Sequence, residues 1–246
     1  MKRFIYFVSL LLVLSCGSEK IATYSAKTYS INDTLKSNAL DTIIKPYKTE
    51  LDKKMSKVIG HSNYDLIKYT PESPLGNFVA DVVFQSGIKY KPNQKAFNLL
   101  NTNTFCMLNF GGLRASVNKG DITIGGIYEL MPFDNEIVIV KLTPVHINKL
   151  LLYLFQKNGQ PISNAIAYIN SSKGKIDIGG QPYNFKDDVF VITSDYLANG
   201  GDKMTFFKGQ PYVKTGVLIR DALLNYVSTV KDLPEFKVEG RIQQIR

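Results

Sequence analysis

Asn109-Phe110-Gly111-Gly112-Leu113-Arg114 closes an apolar run that begins near Phe97, and Ala198-Asn199-Gly200-Gly201-Asp202 follows a second apolar run, Val189-Phe190-Val191-Ile192-Thr193. Short apolar runs rich in β-branched and aromatic residues, bounded by turn residues, read as buried strands. Each strand therefore delivers a glycine pair set beside polar or charged side chains. Glycine permits positive φ and close backbone approach, and successive N–H groups in such turns can cup an anion or a polar ligand atom. An aromatic accompanies each loop, Phe133 after the first and Tyr196 just before the second. Two such loops on one cleft would suit a ligand with a π-face and hydrogen-bonding edges, and a nucleoside is the leading candidate.

Working outward, residues 43–59 carry a helical period, with Ile43, Ile44, Tyr47, Leu51, Met55, Val58 and Ile59 on one stripe. Pro46 belongs in a first turn and Gly60 reads as the stop. Residues 64–69 alternate weakly, as a short strand does. Ser73-Pro74 pairs an N-cap with a proline at the first helical position, and Leu75, Phe78, Val79, Val82 and Val83 form the buried stripe of the helix that follows, up to Gly87. Residues 122–130 read as a short helix or turn and 137–142 as a strong strand. Thr143-Pro144 opens a helix to Gln156 with Val145, Leu150, Leu151 and Leu154 apolar. Residues 166–169 and 175–178 read as strands, with Gly179-Gly180 turning a hairpin. Residues 212–230 are expected as the final helix and 236–242 as a closing strand. Helices and strands mix without strict βαβ alternation, which predicts an α+β fold with a mixed sheet layered with helices.

The chain has 246 residues, 44% hydrophobic and 21% charged, enough for a real core. Lys2 and Arg3 precede an apolar stretch from Phe4 to Leu14, and Val13-Leu14-Ser15-Cys16 resembles a bacterial lipobox. Residues 1–15 are thus expected as a lipoprotein-type signal peptide, with Cys16 lipidated, residues 16–39 as a polar tether, and residues 40–246 as the folded domain. The expected location is outside the cytoplasm, lipid-anchored in the cell envelope. With Cys16 lipidated, Cys106 is the only other cysteine, and its apolar surroundings in sequence predict a buried structural thiol. The net charge of +9 comes from scattered lysines rather than a dense block, so no nucleic-acid partner is expected. The two histidines, His61 and His146, belong to no H-x-H or H-E-x-x-H pattern, and no nucleophile elbow or P-loop occurs. No catalytic residue and no metal site is expected on this chain. Arg114 has the rigid fork that suits a carboxylate, a phosphate or ribose hydroxyls, and Asp202 can accept from hydroxyls.

Four ordered motifs resemble those of the C-terminal, substrate-binding domain of the 5'-nucleotidases: Leu75-Gly76-Asn77-Phe78-Val79-Ala80-Asp81; Leu108 to Arg114 with its Asn-x-Gly-Gly-x-Arg loop; Gly120-Asp121-Ile122-Thr123 followed by Met131-Pro132-Phe133-Asp134-Asn135; and Tyr196-Leu197-Ala198-Asn199-Gly200-Gly201-Asp202. The resemblance covers about residues 40–245. It implies that Phe133 and Tyr196 sandwich a nucleobase, that Arg114 and Asp202 hold ribose and other polar groups, and that Asn109 reaches the sugar or phosphate side. Gly111, Gly112, Asn199 and Gly201 complete the expected substrate-binding set. Thr70-Pro71-Glu72 stands where the family usually carries an arginine, which predicts the loss of one anion contact. The Asn-His-Asp/Glu motif of the family's metallophosphatase domain is absent from this sequence. The expected function is the nucleotide- or nucleoside-binding half of a split 5'-nucleotidase, inactive alone, with a separate metallophosphatase chain supplying divalent metals. The alternatives are a non-catalytic nucleoside-binding lipoprotein and a retained fold serving another ligand.

Overall fold

Side chains of Glu136–Leu142 (β4) alternate between two cores. Ile137 and Ile139 belong to one hydrophobic cluster, and Val138, Val140 and Leu142 to another. Val189–Ser194 (β9) does the same, with Phe190 and Ile192 on one side and Val189 and Val191 on the other. This is the period-two geometry of a strand covered on both faces. The computed structural model describes residues 27–28, 38–90 and 103–245. The expected signal peptide, Cys16, most of the tether and the start of the 97–109 run lie outside the described residues. The chain divides into two compact units, residues 1–45 and 46–246. Of the first, only residues 27–28 and the opening turns of the helix Asn38–Met55 (α1) are described.

In the second unit, β4 and β9 sit inside a five-stranded sheet ordered β10-β4-β9-β2-β5, where β2 is Asn103–Met107, β5 is Ile162–Ser163 and β10 is Tyr212–Leu218. The β2–β9 pair is parallel and the others are antiparallel, so the expected mixed sheet is present. One face is covered by Pro74–Ile88 (α2), Ile124–Leu130 (α3) and Ile219–Val230 (α6), through Phe78, Val79, Val83, Ile127 and Leu223. The other is covered by Pro144–Gln156 (α4), with Ile147, Leu150 and Leu154 buried, and by residues of a four-stranded sheet. That sheet is built from Ala165–Ile169 (β6), Lys175–Ile178 (β7), Gln181–Pro182 (β8) and Ile242–Gln244 (β12). A three-stranded sheet of Val58–Ser62 (β1), Gly120–Thr123 (β3) and Asp232–Leu233 (β11) completes the unit.

Ser73 caps α2 as expected, its Oγ accepting from Gly76 N at 3.1 Å. Gly179 and Gly180, at φ 60° and 77°, turn the β7–β8 hairpin. Several expectations are corrected. The first helix is α1, ending at Met55. None of its residues is buried, Tyr47 and Leu51 being exposed, and Val58-Ile59 belong to β1. Gly60 does not stop a helix but lies within that strand. A Cβ there would sit 2.7 Å from Lys231 O and from Val227 Cγ1, so its bare backbone is what lets the end of α6 approach. Residues 64–69 contribute a single bridge, Leu66 to Val117, rather than a strand. Val145 is exposed although it sits on the expected apolar stripe of α4.

Residues 212–230 are not one helix. β-branched Val213, Thr215 and Val217 favour the extended form, Gly216 takes φ 76°, and α6 begins only at Ile219. Residues 236–241 do not form the closing strand, because side chains satisfy their backbone. Buried Glu72 accepts from Glu239 N (2.8 Å) and Arg241 N (2.7 Å), and Asn77 donates to Lys237 O (2.8 Å). A backbone group whose partner is a side chain has no need of a ladder.

Candidate functional site

The strand β2 runs into a 3-10 turn, Phe110–Gly112. The turn is held from three directions. Phe110 N donates to Gln160 Oε1 at 2.8 Å, and Lys68 Nζ donates to Phe110 O (3.3 Å) and Leu113 O (2.7 Å). Gly76, at the start of α2, lets the helix close on it, since a Cβ there would lie 3.1 Å from the Phe110 ring. Asn109 thereby presents a buried amide at the end of the strand.

The strand β9 ends in Asp195–Ala198 (α5), capped by Ser194 Oγ, which accepts from Leu197 N at 3.2 Å. Asp195 Oδ1 accepts from Tyr196 N (2.8 Å) and from Glu136 N (3.1 Å). One carboxylate thus ties this loop to the start of β4, directly after Asn135. Gly200 takes φ 90°, and Asp202 and Lys203 take φ 51° and 65°. Asp is among the few non-glycine residues that tolerate the left-handed region.

The two loops meet. Asn109 Nδ2 donates to Asp202 Oδ2, and Tyr196 OH lies 3.2 Å from both Asp202 Oδ1, to which it donates, and Asp202 N, from which it accepts. Tyr153, from α4, donates its OH to Asp202 O at 3.0 Å, and burial, with Asp202 and Tyr196 nearby, pushes its phenol up to about 12. It stays a proton donor through the neutral range. A carboxylate offers about four lone-pair sites, so Asp202 keeps acceptor capacity for ligand hydroxyls.

Between the loops lies a cleft of about 320 Å³. Asn109, Gly111, Gly112, Arg114, Phe133, Tyr196 and Asp202 all line it, together with Asn135. Two of the expected residues, Asn199 and Gly201, line an adjoining hollow that shares Asn135 and Tyr196 with the cleft. Asn199 Nδ2 donates to Asp195 O at 2.8 Å and so supports the loop. Phe133 and Tyr196 are not core aromatics, being 43% and 47% exposed. Exposed rings on a cleft wall have a free π-face to offer. Gly111 and Gly112 leave room for the network, since a Cβ on Gly111 would stand 3.1 Å from Asp202 Oδ2 and one on Gly112 3.0 Å from Asn109 Oδ1. Arg114 makes one long hydrogen bond, to Gly111 O at 3.4 Å, and no ion pair among the described residues, so its guanidinium is available to a ligand.

Groups with other chemistry lie elsewhere. Burial raises the Cys106 thiol well above its ordinary value, which keeps it a protonated, inert core residue. His61 pairs with Asp121 at 3.2 Å in the three-stranded sheet, and His146 Nδ1 contacts Thr143 Oγ1 at 2.8 Å. No group of three or more His, Cys, Asp or Glu among the described residues is arranged to hold a metal ion. No helix among them is long and apolar enough to cross a membrane. Sequence reasoning missed Tyr153, Gln160 and Lys68 as supports of the two loops. Each lies tens of positions from the residue it holds, and no local pattern marks it.

The sequence and the fold are similar to those of known proteins. A protein described as trifunctional nucleotide phosphoesterase YfkN of Bacillus subtilis is 26% identical over 81% of this chain and 14% of its own length. A 5'-nucleotidase of Vibrio cholerae is 24% identical over 88% of this chain and 39% of its own. The fold is similar to that of part of a 5'-nucleotidase precursor from Thermus thermophilus, with a TM-score of 0.67, 24% identity, and coverage of 83% of this chain and 43% of that one. The chain thus spans less than half the length of these relatives. Residues 58–209, which contain both glycine loops, Phe133 and Tyr196, match the family described as 5'-nucleotidase, C-terminal domain. On that match, over more than half its length, the chain belongs to the 5'-nucleotidase C-terminal domain family.

Proposed function

We propose that this chain binds the nucleoside part of a nucleotide, as the substrate-holding half of a split 5'-nucleotidase. The observation that carries the reading is the cleft between two exposed rings, Phe133 and Tyr196, floored by the Asn109–Asp202 hydrogen bond. A nucleobase stacks on the rings, at about 1–3 kcal/mol per base. The ribose hydroxyls donate to Asp202. Arg114 takes the phosphate or another anionic edge, its planar fork suiting paired oxygens. The chain's contribution to hydrolysis is orientation, holding the phosphoryl group where another site can reach it.

The described residues do not fit a metal ion. The divalent metals that activate water in phosphomonoester hydrolysis belong, in this reading, to a separate metallophosphatase chain. The location follows from the N-terminal pattern, with Lys2, Arg3 and the apolar stretch directing export and Cys16 carrying the lipid anchor.

Calorimetric titration of the full chain in detergent with adenosine and AMP tests the reading. Saturable binding is expected, weakened roughly tenfold to a hundredfold in Phe133→Ala and in Tyr196→Ala. No binding of either ligand, or binding indifferent to both substitutions, removes the reading. Release of phosphate from AMP by this chain alone, with divalent metal supplied, overturns the division of labour between two chains.

A further inference from the structure

Residues 131–135, which carry Phe133 to the cleft, form neither helix nor strand. Such a segment has no ladder to hold its ring in place. Its carbonyls turn instead toward one guanidinium. Arg220 Nη1 lies 3.5 Å from Met131 O, 3.2 Å from Pro132 O and 3.5 Å from Phe133 O, and Nη2 donates to Asp134 Oδ1. The guanidinium carbon lies over the Tyr128 ring, 4.3 Å from its centroid, so α3 supports the group from one side. The preceding residue on the same helix, Ile219, donates its N–H to Asn135 O at 2.9 Å. The first turn of α6 thus grips both ends of the segment.

We infer that Arg220, which lies outside the cleft, is the positioning residue that sets the Phe133 ring for its ligand. This rests on the reading of Phe133 as a base-stacking wall. The Arg220 side chain is only 10% exposed while Asp134 is 76% exposed, and an ion pair with so solvated a partner contributes little by itself. The carbonyl contacts are therefore the part that matters. Nε is buried and has no hydrogen-bond partner among the described residues, so the side chain's protein contacts run through its two terminal nitrogens. Lysine keeps the charge but has no planar fork to span successive carbonyls and no flat face for Tyr128.

The chain has no tryptophan, so a Phe133→Trp variant carries a single fluorescent reporter at the ring in question. Adding Arg220→Lys is expected to lower its anisotropy and raise acrylamide quenching roughly twofold, with no ligand present. Asp134→Asn, at a side chain that is 76% exposed, is expected to move both in the same direction by less. Circular dichroism and melting identify the folded samples. In the original background, Arg220→Lys is expected to weaken adenosine binding about tenfold, and in a Phe133→Ala background less than about twofold, because a residue acting through Phe133 has nothing left to act on. Unchanged fluorescence in the folded variants overturns the inference, as does a full-sized affinity loss in the Phe133→Ala background. If the original chain binds no adenosine, the nucleoside reading fails while the fluorescence comparison still decides whether Arg220 positions the ring.

Discussion

At Gly201 the backbone lies against the Tyr196 ring. A Cβ there would come within 2.5 Å of Cε1 and Cζ. The ring is thus backed by main chain on one side and tied at its hydroxyl to Asp202, which leaves it exposed but oriented. Gly201→Ala must displace the ring or the loop. It is expected to weaken adenosine binding at least about tenfold, with the melting temperature little changed because the loop is at the surface. Titration beside a thermal melt checks both, and undiminished affinity would show that the ring does not need its backing. Gly180 makes the opposite case. It has open space around it but takes φ 77°. Gly180→Ala is expected to cost about 1–2 kcal/mol of stability and to leave adenosine affinity as it was.

At the scale of elements, the Leu75-Gly76-Asn77 helix does two jobs, although none of its residues lines the cleft. Gly76 admits the Phe110 turn. On another side, Asn77, Asp81 and neighbouring Glu72 fasten the C-terminal segment. Asp81 receives two hydrogen bonds from Arg241, at 2.6 and 2.9 Å, with side-chain exposures of 23% and 11%. Without Asp81 the guanidinium keeps only the more exposed Glu239 carboxylate, at 2.7 Å, so the cost falls at the low end of the range for breaking a largely buried pair. Asp81→Ala is expected to destabilise the domain by about 3 kcal/mol, read as a lower denaturant midpoint at constant m. A midpoint within experimental scatter of the original would mean that the C-terminal segment is not fastened through this pair.

For the whole molecule, two buried phenols set an alkaline limit. Tyr153 and Tyr183 are both pushed up to about 12, chiefly by burial, with Asp202 raising the first and Asp187 the second. The unfolded chain releases these protons near 10, whereas the native state holds them. The resulting stability is fully present below pH 10 and is lost as pH rises toward about 12. Denaturation between pH 9 and 12 should show this fall, and it should be shallower in Tyr183→Phe. Equal slopes in the two proteins would rule out that phenol as a source.

Much of the local structure could be read directly. The Ser73-Pro74 start, the strands around Ile137 and Val191, the hairpin at Gly179-Gly180 and both glycine loops follow from short-range rules of sterics, capping and alternation, and those act within a few residues. The α+β class and the candidate cleft residues came from the same patterns and from the order of four motifs. The misreadings at residues 58–60, 212–218 and 236–241 share one cause. In each, a distant group decides the conformation: the end of α6 against Gly60, β4 beside β10, and the Glu72 carboxylate on the backbone of 239 and 241. The same holds at the cleft. Sequence could name Asn109, Phe133, Tyr196 and Asp202, but only folding brings the two loops into hydrogen-bond contact. Likewise only tertiary packing sets Tyr153, Gln160, Lys68 and Arg220 behind them, because hydrogen bonds and stacking depend on distances of a few ångströms between residues that lie tens of positions apart in the chain.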